Sequence, residues 1–463
     1  MIFTLAWRSL LSRPVRSAVL AGGFGLGVAV MAALLGIGGV ILEQARAPEL
    51  LGGGDVVIGG VSGRLPNARF VLSSVFGAAP LADRVAAAAP LHRATLYLLD
   101  ERGATPLVAR GGIPSLERAL GDPETGGVAS WQDTPADRAW ASPDPEEVLR
   151  AMDRFHPIPD VPGRASSWAE WMYFNGSTGS ARFYLTFLAG PRLESGRRTL
   201  GIRLQLDRGG TMTSYAESVE VGDEVLASAP DIPAGRNSIR LVGREYRITI
   251  DLPAETGVAR ATGEIVVRAV PGRSLPPISV RGAGGWVSGY VVPVMSGELE
   301  GTIRAGRESV DLSGGSGYHD HNWGFWEGVH WQWGQVHGDG MSFVYGRVFP
   351  PADAADPSRL PGFLLAIGPD GPIGYATRID IEESQEVAGG PRRIIVEGQS
   401  GSLALRLDMT VQQTTVTRLP PGAFGGGMDF LQLRVTCRVT GRAADRSVDF
   451  TAPGSAETFR GRS

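Results

Sequence analysis

The amino-acid sequence predicts a mainly β protein with two antiparallel β-barrels or sandwiches side by side, preceded by one transmembrane helix and a small α+β segment. Three observations support this prediction. From Trp168 onward, apolar and polar residues alternate with period two, and turn-forming residues separate the alternating runs at short intervals. Gly (65 residues) and Pro (32 residues) are abundant, which suits many turns between short strands. An uncharged stretch long enough to span a membrane lies near the N-terminus.

The alternating runs predict the strands of the two barrels. They are Ala181–Leu188, Thr199–Leu206, Ser238–Leu252, Gly263–Val270, Glu298–Ile303, Ser342–Val348, Gly362–Ile367, Arg393–Glu397, Leu403–Val411, Phe430–Val439 and Ser447–Phe450. We expect the first barrel to span residues 161–295 and the second to span residues 296–463. Strands and helices do not alternate along this region, which disfavours a doubly wound α/β fold. Cys437 lies in an alternating run, so we interpret it as a small core residue.

Residues 17–42 contain no charged side chain and are predicted to form a transmembrane helix. At 1.5 Å per residue the stretch spans about 39 Å, more than the roughly 30 Å hydrocarbon core of a bilayer. Because Arg8, Arg13 and Arg16 precede it, the positive-inside rule makes residues 1–16 a cytoplasmic stub. We therefore expect a single-pass protein of the cytoplasmic membrane whose bulk is periplasmic. The alternative is a cleaved signal peptide, which is typically shorter.

Two further segments connect the predicted membrane helix to the barrels. Residues 46–120 are predicted to form the small α+β segment, with strands at Leu91–Leu99 and Pro106–Arg110. Residues 121–160 have the proline-rich composition of a linker. A helix is predicted within this linker at Asp144–Phe155, because an Asp-Pro pair followed by acidic residues is typical of a helix N-terminus.

The N-terminal segment Leu5–Ser17 and the phrase Gly53–Gly59 resemble the N-terminus of ABC permeases of the macrolide-exporter and lipoprotein-release type. The resemblance covers roughly residues 1–115, which correspond to the first transmembrane helix and the start of the periplasmic domain. It implies an association with an ABC export system. No second membrane-spanning stretch occurs in the sequence, so this chain alone would not form a translocation path.

Residues capable of chemistry are concentrated in the segment Gly317–Gln335. It contains three of the six histidines of the chain together with four tryptophans, and a fourth histidine, His337, follows two residues later. Along a β-strand, successive side chains point to opposite faces. The segment is therefore predicted to place Tyr318, Asp320 and Asn322 on one face and His319, His321 and Trp323 on the other.

Three interpretations of this segment remain open. In the first, His319 and His321 bind a metal ion, and Asp320 or His330 completes the site. In the second, Tyr318 and Asp320 face an aromatic pocket, where Asp320 is a general acid and aromatic faces stabilise a carbocation. In the third, the polar groups form a hydrogen-bond network that serves the structure alone.

An upstream segment, Trp168–Gly176, has the same polar and aromatic character, with Glu170, Trp171 and Tyr173. Its residues are candidates for the same pocket. The alternative is a first barrel strand whose aromatic side chains pack in the core.

Three motifs in this order carry a family resemblance: Glu170–Gly176, Gly317–Gly324 and Gly454–Gly461. Over roughly residues 160–463 the chain resembles the AttH and carotenoid 1,2-hydratase (hydroxyneurosporene synthase) family. The resemblance implies two lipocalin-like β-barrels and relatives that bind apolar polyenes or terpenoids.

For the hydratase members, the resemblance implies that an acid protonates an unactivated C=C bond and that water captures the resulting cation. Tyr318 and Asp320 match the Tyr-x-Asp motif of that active site. The hydratases also carry a His-x-Trp pair about 25 residues earlier. The corresponding stretch here, Gly289–Val294, contains neither residue, although Trp286 lies close to it.

These patterns and the resemblance together define a predicted site. The predicted catalytic residues are Asp320, Tyr318, His319 and His321. The predicted ligand-binding residues are Glu170, Trp171, Tyr173, Asn322, Trp323, Trp286, Trp331 and Gln335. No bound metal or cofactor is included in this prediction.

Two functions are compatible with the sequence. The first is a membrane-anchored, extracytoplasmic lipocalin-like protein that binds an apolar lipid or isoprenoid as an accessory of an ABC exporter. The alternative is a hydratase, isomerase or cyclase that acts on a terpenoid C=C bond. Nucleic-acid binding is disfavoured because the net charge is −4 at pH 7 and no basic surplus is present.

Overall fold

The computed structural model describes residues 15, 56–59, 68–77, 84–100, 103–122, 127–141, 143–179, 181–356, 360, 362–369, 371–384, 389–419 and 428–461. The transmembrane helix predicted at residues 17–42 lies outside these residues. Within the described part of the chain, no helix combines the length and the apolar character needed to cross a membrane.

Helices form a small part of the described chain. They are α1 (Ala68–Gly77), α2 (Pro114–Ala119), α3 (Pro135–Ala141), α4 (Pro145–Met152) and α5 (Asp223–Ala227). The chain divides into two compact units, one of residues 1–65 and 87–141 and the other of residues 66–86 and 142–463. Both large β-sheets belong to the second unit.

The described part of the first unit is a β-hairpin with two short helices. The hairpin pairs β1 (Leu91–Asp100) with β2 (Gly103–Gly112), and the two strands predicted in this segment fall within them. Arg110 of β2 donates to the buried carboxylate of Glu117 in α2 (2.8 Å) and also pairs with Asp122. A buried carboxylate needs such a partner, so this ion pair fixes α2 against the hairpin.

Helix α4 begins where the sequence predicts and ends three residues earlier, at Met152. The side chain of Asp144 caps it by accepting hydrogen bonds from the backbone N–H groups of Glu146 (2.7 Å) and Glu147 (3.1 Å). The buried face of α4 packs into the apolar core of the first barrel. The chain leaves the helical conformation at Asp153, whose side chain is fully buried.

The first large sheet has twelve strands, and all of its pairs are antiparallel. They are β3 (Trp168–Ser177), β4 (Ala181–Arg192), β5 (Arg198–Arg208), β6 (Thr211–Val221), β7 (Ile232–Ala234), β8 (Asn237–Val242), β9 (Glu245–Pro253), β10 (Arg260–Arg268), β11 (Leu275–Arg281), β12 (Val287–Ala305), β13 (Glu308–Asp311) and β14 (Gly315–Phe325).

The order of the main path is β6-β5-β4-β3-β14-β12-β10-β9-β8-β7, and β11 and β13 each pair with β12. The two sides of this sheet approach each other, since Tyr215 in β6 forms a bridge with Ala254, just after β9. The backbone N–H of Glu255 also donates to the carbonyl of Ser214 (3.0 Å). The sheet is therefore a nearly closed barrel.

The change from the first sheet to the second occurs later in the chain than the predicted boundary at residues 295/296. That boundary falls inside β12, which pairs with β10 and with β14. Residues 296–325 therefore belong to the first barrel, and the second sheet begins at His330. The alternating pattern identifies strands, but it does not indicate which sheet a strand joins.

The second large sheet has nine strands in the order β18-β17-β16-β15-β23-β22-β21-β20-β19. They are β15 (His330–Gly338), β16 (Met341–Phe349), β17 (Phe363–Gly368), β18 (Gly371–Ala376), β19 (Arg378–Glu383), β20 (Arg393–Gln399), β21 (Leu403–Leu419), β22 (Met428–Ala443) and β23 (Arg446–Gly461). Thr377 alone separates the two edge strands β18 and β19, so this sheet also curves into a nearly closed barrel.

Each barrel encloses an apolar core, and a third apolar cluster lies between them. The core of the first barrel combines aliphatic residues with many aromatic ones, such as Phe174 and Phe187, and the core of the second is mainly aliphatic, with residues such as Leu407. Cys437 is fully buried in the second core, as predicted, and burial raises the pKa of its thiol to about 12. The cluster between the barrels joins strands of both sheets and is formed by Tyr173, Tyr184, Leu275, Tyr290, Val292, Met295, Tyr318, Val344, Phe363, Leu365 and Ile367.

The close approach of β22 to β21 requires glycine at position 441. Gly441 has φ +129°, and a Cβ atom there would lie 2.1 Å from the carbonyl oxygen of Ala404. We expect Gly441→Ala to lower the free energy of unfolding by roughly 1–3 kcal/mol in urea denaturation. The control Gly401→Ala, where a Cβ atom meets open space, should be close to neutral. Equal stability of the two variants would contradict this strand geometry.

Candidate active site

Strand β14 is the wall between the interior of the first barrel and the space between the two sheets. In its pairing with β3, Asp320 lies opposite Tyr173 and Asn322 lies opposite Trp171. Directly opposed residues share a face of a sheet, so these four side chains lie on the same side. The intervening His321 points to the other side, into the barrel.

The side of β14 that carries Asp320 borders a cavity of about 150 Å³ between the two sheets. Seven aromatic residues line it: Trp171, Tyr290, Trp326, Trp331, Trp333, Phe363 and Tyr375. Its principal polar groups are Asp320, Asn322, Gln332, Arg347 and Glu457. A cavity of about this volume inside a protein accepts a benzene-sized group. The cavity can therefore hold one end of a larger apolar molecule.

Asp320 is held in one orientation by two donors on its own strand. The Tyr318 hydroxyl donates to Oδ2 (2.9 Å), and the Asn322 amide donates to Oδ1 (2.7 Å). The indole N–H of Trp333 in turn donates to the Tyr318 hydroxyl (3.0 Å). Burial raises the pKa of Asp320 well above its usual range, and the nearby carboxylate of Glu457 raises it further.

Glu457 brings a second carboxyl group to the cavity from β23 of the second barrel. Burial raises its pKa to about 7, against the lowering effect of the neighbouring Tyr173 hydroxyl. Among the described residues, the Tyr173 hydroxyl itself forms no standard hydrogen bond. Glu457 is absent from the predicted site, although it lies in the motif Gly454–Gly461 that supports the family resemblance.

These groups have the properties needed for acid–base chemistry on an apolar molecule. A buried carboxyl with a raised pKa can donate a proton, and a second carboxyl with a pKa near 7 can accept one. The rings of Trp171, Trp331 and Trp333 border the cavity and can stabilise a positive charge through cation–π attraction.

A wider and more polar cleft of about 820 Å³ opens on the second barrel. Its walls include the charged residues Arg378, Asp380 and Glu397, and it shares Arg347 and Leu360 with the aromatic cavity. We regard the smaller cavity as the candidate site, because there the buried carboxyl group of Asp320 and the half-buried Glu457 border aromatic walls. The shared residues place the cleft next to the cavity.

The opposite face of β14 carries a row of contacting carboxylate and imidazole side chains inside the first barrel. His319 Nε2 lies 2.9 Å from Asp153 Oδ2, and His321 Nδ1 lies 2.8 Å from Asp153 Oδ1. Burial opposes ionisation of Asp153, but the two imidazoles outweigh it and lower the pKa of Asp153 to about 2. Burial also disfavours protonation of His321, but Asp153 and Glu170 outweigh it and raise the pKa of His321 to about 9.

Glu170 extends this row of side chains toward the surface of the barrel. Its Oε1 lies 3.0 Å from His321 Nε2 and 2.7 Å from His156 Nδ1. The imidazole of His156 stacks on Trp323, with ring centroids 4.0 Å apart. The proposed metal ligand pair of His319 and His321 therefore already contacts Asp153, while Asp320 points to the opposite face of the sheet.

The predicted site residues thus separate into groups. Asp320, Asn322, Trp171 and Trp331 line the cavity, and Tyr318 and Tyr173 lie directly behind it. His319, His321, Glu170 and Trp323 lie inside the first barrel. Trp286 is buried in the first core and donates to the carbonyl of Phe325 (3.0 Å), Gln335 donates to Asn175 (2.9 Å), and His330 is exposed at the start of β15.

No protein-family model and no curated protein matches the chain. Among solved structures, the fold is similar to that of a protein described as AttH from Nitrosomonas europaea (15% identity, 66% of this chain and 99% of that chain, TM-score 0.45). It is also similar to kievitone hydratase from Nectria haematococca (12%, 66% and 95%, TM-score 0.44) and to CghA with Sch210972 (13%, 66% and 94%, TM-score 0.42). These similarities concern the fold alone, and neither residue roles nor an activity follow from them.

The hydroxyl of Tyr318 joins Trp333 and Asp320, so its removal leaves the buried carboxyl group of Asp320 and the indole N–H of the half-buried Trp333 without this partner. We expect Tyr318→Phe to lower the free energy of unfolding by about 1–3 kcal/mol in urea denaturation. Tyr375→Phe is the control, because that side chain is 42% exposed, and it should change stability by less than about 0.5 kcal/mol. A Tyr318→Phe variant as stable as the control would show that the hydroxyl does not bridge these groups.

Proposed function

We propose that the cavity between the barrels protonates a C=C bond of an apolar, terpenoid-like substrate, with Asp320 as the proton donor. The observation that supports this proposal is the position of Asp320. Its carboxyl group is buried, fixed on both oxygens by Tyr318 and Asn322, and borders a cavity with aromatic walls. The resemblance of Tyr318 and Asp320 to the Tyr-x-Asp motif of the hydratases supports the same activity.

In the proposed reaction, the proton of Asp320 is transferred to one carbon of the C=C bond, and the π electrons form the new C–H bond. The other carbon becomes a tertiary cation. Water then adds to the cation and loses a proton to Glu457, which gives the hydrated product. In an isomerisation or cyclisation, Glu457 would instead remove a proton from a carbon next to the cation. Transfer of that proton through solvent to Asp320 restores the starting state.

The walls of the cavity suit this intermediate. Trp171 and Trp331 lie with ring centroids 5.6 Å apart, and Tyr290 and Trp333 lie 5.2 Å apart. Aromatic faces attract a cation without offering a nucleophile, so they lengthen the life of the cation until water or Glu457 acts on it. The cavity volume of about 150 Å³ matches one isoprene-sized group, so the rest of a longer substrate would extend toward the adjoining cleft.

Ligand binding without turnover is the second candidate function, and the aromatic lining of the cavity favours it. Under this alternative the barrels carry an apolar lipid or isoprenoid to or from an ABC exporter. The membrane anchor at residues 17–42, the periplasmic location and the exporter association remain predictions from the sequence. Deuterium incorporation separates the two functions, because only the enzyme forms new C–H bonds.

The role of Asp320 predicts that Asp320→Asn abolishes turnover and spares binding. The amide keeps the size of the side chain but has no carboxyl proton to donate. The full chain is incubated in D₂O with farnesol, an acyclic terpenoid with trisubstituted C=C bonds, and deuterium in the carbon skeleton is measured by mass spectrometry. We expect a loss of roughly 10²–10⁴-fold in the rate of incorporation. The amount of farnesol that the Asp320→Asn variant retains in native mass spectrometry should equal that of the wild type.

Asp339→Asn is the matched control, because Asp339 is exposed in the turn between β15 and β16. It should incorporate deuterium at the wild-type rate. Retained farnesol with no incorporation by the wild-type chain would favour the carrier function. Incorporation that survives Asp320→Asn would remove Asp320 from the catalytic role.

The role of Glu457 predicts a pH dependence. With a pKa of about 7, Glu457 is ionised and able to accept a proton only above that pH, so the rate should rise as the pH increases through about 7. Glu457→Gln cannot accept a proton, so this rise should disappear and the plateau rate should fall. The measurement is the pH profile of deuterium incorporation between pH 5 and pH 9, with those limits chosen roughly two units either side of 7.

Glu327→Gln is the control for this experiment, because Glu327 is exposed in the connection between the two barrels. Its profile should match that of the wild type. A Glu457→Gln profile that keeps the rise near pH 7 would assign the titrating group to another residue.

A further inference from the structure

Three possible metal ligands converge inside the first barrel, on the face of β14 opposite the aromatic cavity. His156 Nδ1, Glu170 Oε1 and His321 Nε2 all lie within 4.8 Å of one another. Glu170 Oε1 is 2.7 Å from His156 Nδ1 and 3.0 Å from His321 Nε2. His156 lies 14 residues before Glu170 in the sequence, whereas His321 lies 151 residues after it, so the pairing of β14 with β3 brings His321 to the other two.

The geometry suits a small divalent cation. In a tetrahedral zinc site with ligand distances of about 2.0–2.2 Å, the ligand atoms lie roughly 3.3 Å from one another. The two observed nitrogen–oxygen distances, 2.7 Å and 3.0 Å, are shorter than that value by about 0.3–0.6 Å, and the two nitrogens lie within 4.8 Å of each other. Small rotations of the side chains of His156 and His321 would therefore suffice. An ion that binds here replaces the protons now shared between each imidazole and Glu170.

A second carboxylate orients one of the ligands. Asp153 Oδ1 lies 2.8 Å from His321 Nδ1, which leaves Nε2 as the nitrogen directed at Glu170. Histidine ligands of metal ions usually donate their other ring N–H to a carboxylate or carbonyl oxygen in this way. Asp153 and His321 are therefore already arranged as a carboxylate that orients an imidazole ligand.

The other two ligands are also held in place. The backbone N–H of His156 donates to both carboxylate oxygens of Glu170, at 2.9 Å each. The imidazole of His156 stacks on Trp323 with an interplanar angle of 19°. Glu170 and His321 are fully buried, whereas the side chain of His156 is 38% exposed, so an ion can enter from the His156 side.

We propose that His156, Glu170 and His321 bind one divalent transition-metal ion of the zinc class. Two imidazoles and one carboxylate form a ligand set that zinc uses with a fourth position open to water, which here lies toward the exposed side of His156. The ion fixes the segment after α4, which carries His156, to the wall formed by β3 and β14. This proposal is independent of the proposed reaction, since Asp320 faces away from the site.

The test is metal binding by the full chain, expressed without an affinity tag and purified in detergent. After treatment with a chelator, the protein is titrated with Zn²⁺, and the stoichiometry is measured by elemental analysis of the dialysed protein. Binding of Co²⁺ is followed by its visible absorption, which reports a four-coordinate site. We expect one ion per chain and a melting temperature that rises with added Zn²⁺.

Variants locate the site. His156→Gln should abolish stoichiometric binding, and Asp153→Asn should weaken it roughly 10–100-fold, as expected for a residue that orients a ligand. His330→Gln is the control, because it removes an exposed histidine from β15 and should leave binding unchanged. Chemical denaturation of each variant in the presence of chelator separates loss of binding from loss of folding.

Three outcomes would overturn the proposal. They are the absence of stoichiometric Zn²⁺ and Co²⁺ binding by a folded wild-type chain, equal loss of binding in His330→Gln and His156→Gln, and binding that persists undiminished in a folded His156→Gln variant. Failure of metal binding would leave the proposed function of Asp320 untouched, because the deuterium experiment does not involve these ligands.

Discussion

The alternation of side chains along strand β14 is the constraint on which the rest of the site depends. Every second residue enters the first barrel, and the residues between them face the second barrel. A slip of one residue in its pairing with β3 would exchange the two sets and bury Asp320 among the histidine partners. The pairing of β14 with β3 over ten residues, from Ser316 to Phe325, therefore keeps the histidines and Asp320 on opposite faces of the sheet.

The two aspartates on either side of this wall show how strongly neighbours control ionisation. Asp153 and Asp320 are both fully or almost fully buried, yet the pKa of one is lowered to about 2 and that of the other is raised. Asp153 contacts two imidazoles that can carry positive charge. Asp320 contacts neutral donors and lies near another carboxyl group, Glu457. Burial alone therefore does not explain the difference, which follows from the charge of the nearest groups.

The sequence predicts the β-rich architecture, the core position of Cys437 and the two faces of β14, because alternation is a local property. The first half of β12 has no such signal, since residues 288–297 are buried on both faces. The predicted end of β21 falls at Val411, where a bulge interrupts the alternation while the strand continues. Asp153 and Glu457 could not be assigned, because only the tertiary fold brings Asp153 to the histidines of β14 and Glu457 to the cavity.

The pairing of β15 with β23 has a consequence for the order of folding. β15 is the first strand of the second sheet along the sequence and β23 is the last, yet the two are neighbours in the sheet. Trp331 of β15 stacks on Phe459 of β23, with ring centroids 4.0 Å apart. Contacts between residues so distant in sequence form slowly, because a long loop must close before any of them can stabilise the structure. The first barrel and the β15–β16 hairpin can thus form, with Asp320 in place, while the other edge of β15 still lacks its partner β23. During that interval the future binding surface is an exposed aromatic strand, open to association with other chains and to chaperones.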